Sequence, residues 1–122
     1  MRKGFSLVEI IVSLSVIAIA ISFSLPFFSR FEAGFILESL AKTITSEIRL
    51  LQCLAFSQHT DTSLNLGRLS IPPSIKISGK LDLRFSASGS PPPGGSGTIL
   101  LENQYGRQKK IILSSAGRVR IE

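Results

Sequence analysis

Ser57, His59 and Asp61 are the residue types that could form a nucleophile, a general base and an orienting acid. Their spacing argues against it, because all three fall in one short polar stretch where such a line of hydrogen bonds can hardly align. They read as turn residues. A metal site needs several His, Cys or carboxylate ligands at recognisable spacing, and a single histidine with Cys53 six residues before it does not supply that. No catalytic residue, metal ligand or cofactor is therefore expected, and the chain does not read as an enzyme. Cys53 has no second cysteine to pair with and reads as a small apolar residue packed on a helix. The glycines near 94–97 do not make a phosphate cradle, which would want a following lysine and a helix. Thr98-Ile99-Leu100-Leu101 follows instead and looks like a strand.

Glu9 is harder to dismiss. It is the only charged side chain between residues 5 and 28, and residues 10–28 carry no charge at all. A helix rises about 1.5 Å per residue and a bilayer's hydrocarbon core is about 30 Å thick, so this run is long enough to cross. A carboxylate inside such a helix costs on the order of 2.5–3.5 kcal/mol at the bilayer centre, less near an end, and persists with a partner or with access to headgroup water. Arg2 and Lys3 precede the run. The positive-inside tendency then keeps the amino end in the cytoplasm and puts everything after Arg30 on the far side. A cleavable secretory signal is the alternative, cut after Ala18-Ile19-Ala20. It would leave Glu9 in the signal's apolar core and carry Ile21, Phe23, Leu25, Phe27 and Phe28 into the mature chain.

The elements that must position these residues follow from periodicity. Pro26 removes one backbone donor and should bend the helix. Beyond Arg30, Ile36, Leu40, Ile44, Ile48, Leu51 and Ala55 recur at helical spacing, with Glu38 and Lys42 as an i,i+4 pair on another face. A helix from Phe5 to Ala55 would be about 75 Å long. Residues 57–63 have loop composition, and the pattern then changes to short strand-like runs at 64–69, 74–78, 81–85, 98–102, 108–113 and 119–121. These predict an antiparallel sheet, with Asn103-Gln104-Tyr105-Gly106 as a hairpin turn. Residues 86–97, rich in Pro, Gly and Ser, predict an exposed and mobile connector. The fold class is α+β: a long amino-terminal helix, transmembrane in its first half, packed on a small antiparallel β domain.

The string Arg2-Lys3-Gly4-Phe5-Ser6-Leu7-Val8-Glu9 resembles the processing motif of type IV prepilins and type II secretion pseudopilins. That resemblance implies cleavage between Gly4 and Phe5 by a membrane prepilin peptidase and methylation of the new Phe5 amine. It also implies that the apolar helix is retained and that Glu9 pairs with the terminal amine of a neighbouring subunit during assembly. The partners would be other pilin or pseudopilin subunits, the peptidase and the bacterial inner membrane. Residues 1–4 would be the leader, 5–29 the membrane helix, 30–56 the periplasmic half of the helix and 57–122 the β-rich part. A looser resemblance is carried by Gly97-Thr98-Ile99-Leu100-Leu101, the turn at Gly106, Ile111-Ile112-Leu113 and the ending Gly117-Arg118-Val119-Arg120. It is to the GspH/FimT-type minor pseudopilin and minor pilin domain, which packs a sheet on the end of the long helix, usually without a disulfide loop. The lack of an Asp-rich end favours a minor subunit over a bulk one.

Net charge is +6, and Arg107, Lys109, Lys110, Arg118 and Arg120 crowd the last sixteen residues. Such a cluster either attracts phosphate, an acidic lipid surface or an acidic protein, or is a solvated strand face. FimT-like minor pilins resemble this sequence in ending Gly-Arg-x-Arg, which implies DNA contact by Arg118 and Arg120. On an extended strand these two would share a face, with Lys109, Lys110 or Arg107 adding phosphate contacts from the adjoining hairpin.

Overall fold

Helix-forming sequence runs unbroken up to the polar stretch at 57–61, and one helix, α1 (Leu7–Gln58), takes almost all of it. The computed structural model describes residues 4–122. Arg2 and Lys3, which carry the expected orientation, lie outside those residues. The chain divides into two units, Met1–Glu32 and Ala33–Glu122, and α1 contributes to both.

In the first unit the helix starts at Leu7, two residues later than expected, and its apolar side chains are exposed all round. It is long and apolar enough to cross a membrane. Its serines fit such an environment because each returns its hydroxyl to the helix. Ser13, Ser15, Ser22 and Ser24 donate to the carbonyls of Glu9, Ile11, Ala18 and Ala20, and Ser29 to that of Pro26. The helix continues through Pro26, which has no N–H to give the Ser22 carbonyl.

In the second unit, Ala33, Leu37, Ala41, Ile44, Ile48 and Ala55 form the buried stripe of α1, with Ile36, Leu40 and Leu51 at its margin. Ile44, Ile48 and Ala55 are thus buried as their spacing predicts, while Ala33, Leu37 and Ala41 complete the stripe and Ile36, Leu40 and Leu51 flank it. Six strands follow: β1 (Thr62–Asn65), β2 (Ile75–Gly79), β3 (Asp82–Phe85), β4 (Gly97–Asn103), β5 (Gln108–Leu113) and β6 (Val119–Ile121). They form two sheets, not one: an antiparallel pair β1-β3 and a four-stranded antiparallel sheet β2-β4-β5-β6. Leu83 and Phe85 from the first sheet and Ile99, Leu101, Ile111 and Leu113 from the second meet the helix in one core. Truncating one of these to alanine would cost about 2–5 kcal/mol, against about 5–15 kcal/mol of total stability for a typical domain.

Three local expectations are corrected. Ser57 and Gln58 belong to the helix, since Ser57 returns its hydroxyl to the Leu54 carbonyl and the chain leaves the helix only at His59, φ 51. Thr60 N–H then reaches back to the Ala55 carbonyl at 3.3 Å, a left-handed helix stop that histidine tolerates better than most residues. The run at 64–69 splits, because Leu66–Arg68 is a 3-10 turn opened by Asn65, whose side chain accepts from Gly67 N at 2.9 Å. Residues 86–97 are held down: Pro91 and Gly95 are buried, Lys80 Nζ donates to the carbonyls of Gly94 and Ser96, and Ala87 N donates to Asp61 Oδ1 at 3.1 Å.

One turn design recurs among the described residues. Asn103, Ser86 and Ser114 each accept from the N–H of a glycine three residues later, Gly106, Gly89 and Gly117, all at positive φ. In each the first residue also donates its N–H to the residue after the glycine, which closes a three-residue loop. The hairpin expected at residues 103–106 is one of these.

Candidate functional site

At the amino end, residues 4–6 are not helical, and Phe5 is exposed. A Cβ added at Gly4 would meet nothing within 4 Å, so the Gly4–Phe5 bond lies in open, irregular chain. The helix begins just after it, with the Ser6 carbonyl accepting from Glu9 N at 3.0 Å and Ile10 N at 3.2 Å. Glu9 therefore sits in the first turn, where the free N–H groups and the positive end of the helix dipole favour a carboxylate. Its side chain is exposed and has no ion-pair partner among the described residues.

At the carboxyl end the strand alternation sorts the cations onto two faces. Lys109 shares the inward face of β5 with Ile111 and Leu113, and its Nζ lies 3.2 Å from Glu38 Oε2 on α1. Arg107 lies over the helix as well, since a Cβ at Gly34 would come within 2.6 Å of its Nη1. Lys110 and Arg120 take the outward face: Lys110 stands opposite Glu122, and Arg120 opposite Ile112. Arg118 is exposed at the entry to β6. Arg120 Nη1 is 3.8 Å from Glu122 Oε1, and both side chains are mostly exposed. The outward group is thus Lys110, Arg118 and Arg120, and the fold does not bring Lys109 or Arg107 to it.

Gly117 serves the turn before β6. Its φ is 81, its carbonyl accepts from Gln52 Nε2 at 2.7 Å, and the turn packs against Gly89 and Ser90.

The remaining candidates have separate structural uses. Ser57 bonds within the helix, Asp61 accepts from Ala87 N, and the His59 ring lies 6.2 Å from that of Phe56. Cys53 is exposed and does not pack in the core, because it falls on the face of α1 opposite the buried stripe. Two features escape sequence reading. One is Glu38 as a partner for Lys109, since only its helical neighbour Lys42 is visible from spacing. The other is buried Asn103, whose Oδ1 accepts from Tyr105 N and Arg107 N while its Nδ2 has no partner among the described residues.

The profile of the prokaryotic N-terminal methylation motif matches residues 1–25. It covers the Gly4-Phe5 junction, Glu9 and most of the apolar run, and supports a type IV pilin-like protein. No curated protein and no solved structure matches the chain.

Proposed function

We propose that the chain is a minor pilin-like or pseudopilin subunit, cut between Gly4 and Phe5 by prepilin peptidase and methylated on the Phe5 amine. Residues 5–29 hold it in the bacterial inner membrane in a single pass, amino end in the cytoplasm, with residues 30–122 on the periplasmic side. It then joins a type II secretion pseudopilus or a type IV pilus alongside other such subunits. The observation that carries this reading is Glu9, a carboxylate with no ion-pair partner among the described residues, in the first turn of an exposed apolar helix, four residues past an open Gly4–Phe5 bond. A subunit inserted this way leaves an anion in want of a cation, and the freed amine of a neighbour supplies one. Amino-terminal sequencing and mass spectrometry of membrane-extracted protein test it. The expected start is methylated Phe5; an intact leader, or a start at Ile21, rejects it.

A second reading rests on Lys110, Arg118 and Arg120 sharing one exposed region: a FimT-like capture of DNA for uptake. Its contacts would go to phosphates and weaken steeply with salt. Gel shifts with the detergent-solubilised chain across a salt series test it. Arg118→Ala with Arg120→Ala should abolish the shift; no shift at low salt, or an unchanged one in the double variant, ends this reading.

A further inference from the structure

The four-stranded sheet has two open edges, and they differ. At β2 the chain enters through Pro72 and Pro73, the Ile75 N–H is taken by the Pro72 carbonyl at 3.0 Å, and the strand stops at Gly79 with φ 98. Prolines and a break of this kind protect an edge from pairing. β6 carries neither. Lys110 and Glu122 exchange both backbone hydrogen bonds, at 2.7 and 2.8 Å, so the next pair of that type is Ile112 with Arg120. Val119 and Ile121 occupy the intervening positions. Their N–H and C=O groups point away from β5, and among the described residues none of the four has a partner.

Side chains around this edge have a definite chemistry. Val119 and Ile121 are half-buried and pack on the core from the inward face. Arg120 points outward, Lys110 is its diagonal neighbour on β5, and Arg118 stands at the strand's entry. Among the described residues the one ion pair made by these three cations is Arg120 with Glu122, at 3.8 Å. A strand added here would meet positive charge on one face and apolar side chains on the other.

We propose that the β6 edge is a docking site for an extended acidic segment of a partner protein, which joins the sheet as a fifth strand. Its alternate residues are carboxylates over Arg118, Arg120 and Lys110, and the residues between them are apolar and lie beside Val119 and Ile121. Backbone pairing holds the segment, and the charges select it. This goes beyond filament membership and does not depend on cleavage at Gly4. Duplex DNA would use the same cations but has no use for the backbone edge.

The test uses the full chain in detergent micelles and a synthetic peptide of about eight alternating Glu and Val residues, a length suited to one strand. Amide hydrogen exchange is read at Val119 and Ile121. The peptide should slow both by about tenfold or more, as capture of an open amide in a sheet requires, and the protection should weaken with salt. The same peptide with Lys for Glu, or with N-methyl groups on the residues facing β6, should not protect. Val119→Pro should abolish binding, because it removes an edge-facing N–H that β5 does not use. The N-methylated peptide makes the same test without altering the protein. Unchanged exchange at saturating peptide overturns the proposal. So does equal binding by the Lys peptide, or full binding by the N-methylated peptide or the Val119→Pro chain. If DNA displaces the peptide and both bind Val119→Pro undiminished, the edge is only a polyanion patch.

Discussion

Lys109 Nζ lies 3.2 Å from Glu38 Oε2, which ties the inward face of β5 to α1 by a charge pair. Lys42 meets the other oxygen of the same carboxylate at 3.5 Å. Glu38 thus answers a cation from its own helix and one from the sheet. The consequence for the basic tail is direct, since the residues that alternation turns inward are used to dock the helix. Those turned outward keep their charge available. A count of positive residues would treat all five alike.

The pair has a pH signature. The hydrogen bond and charge of Lys109 hold the Glu38 carboxyl below its ordinary range, with Lys42 adding to the effect and desolvation opposing it. A depressed carboxylate contributes stability that is present above its unfolded pKa, about 4.3, and is lost as pH falls through the lower folded value. Urea midpoints of the detergent-solubilised chain and of Glu38→Gln should therefore differ at neutral pH and converge below about pH 4. The gap should be small and shrink with salt, because the side chains are partly exposed. A gap that is constant from neutral to acid pH would refute the assignment.

Glu9→Gln tests the amino end without changing side-chain size. Membrane insertion and release of the leader should persist, because neither the Gly4–Phe5 bond nor the apolar run is altered. Incorporation into filaments should fall by at least about tenfold, the equivalent of about 1.4 kcal/mol, since one member of the proposed ion pair is removed. Undiminished incorporation would mean that Glu9 reaches headgroup water and pairs with nothing.

Much of this was legible from residue order alone, and the exceptions share a cause. The uncharged run at 10–28, the Glu38–Lys42 pair and the hairpin at Gly106 are local patterns, and each is found where periodicity or turn chemistry places it. The division into two sheets is not local. β2 and β3 are consecutive in sequence, yet β2 pairs with β4 and β3 with β1. The proline-rich connector misleads for a related reason: its composition is that of a linker, but Lys80 and Asp61 pin it from elsewhere in the chain. The cations of the tail could be counted in advance, but their sorting required the register of β5 and β6.

Gly117 is where a ligand-binding and a structural explanation of the Gly-Arg-x-Arg ending make different predictions. At φ 81 an alanine sits in the left-handed region at a cost of about 1–2 kcal/mol. Its Cβ would also lie 3.3 Å from Gln52 Nε2 and 3.4 Å from the Gly89 carbonyl oxygen, so neighbours must shift slightly. Gln52→Ala removes the 2.7 Å hydrogen bond to the Gly117 carbonyl, worth about 0.5–1.5 kcal/mol. If the glycine serves the turn, both variants lower the urea midpoint. The double variant then loses less than the sum, because the two residues share one contact. Any anion binding by Arg118 and Arg120 should be weakened only as far as β6 loosens. A Gly117→Ala chain of unchanged stability but lost anion binding would show instead that the glycine is there for the ligand's approach.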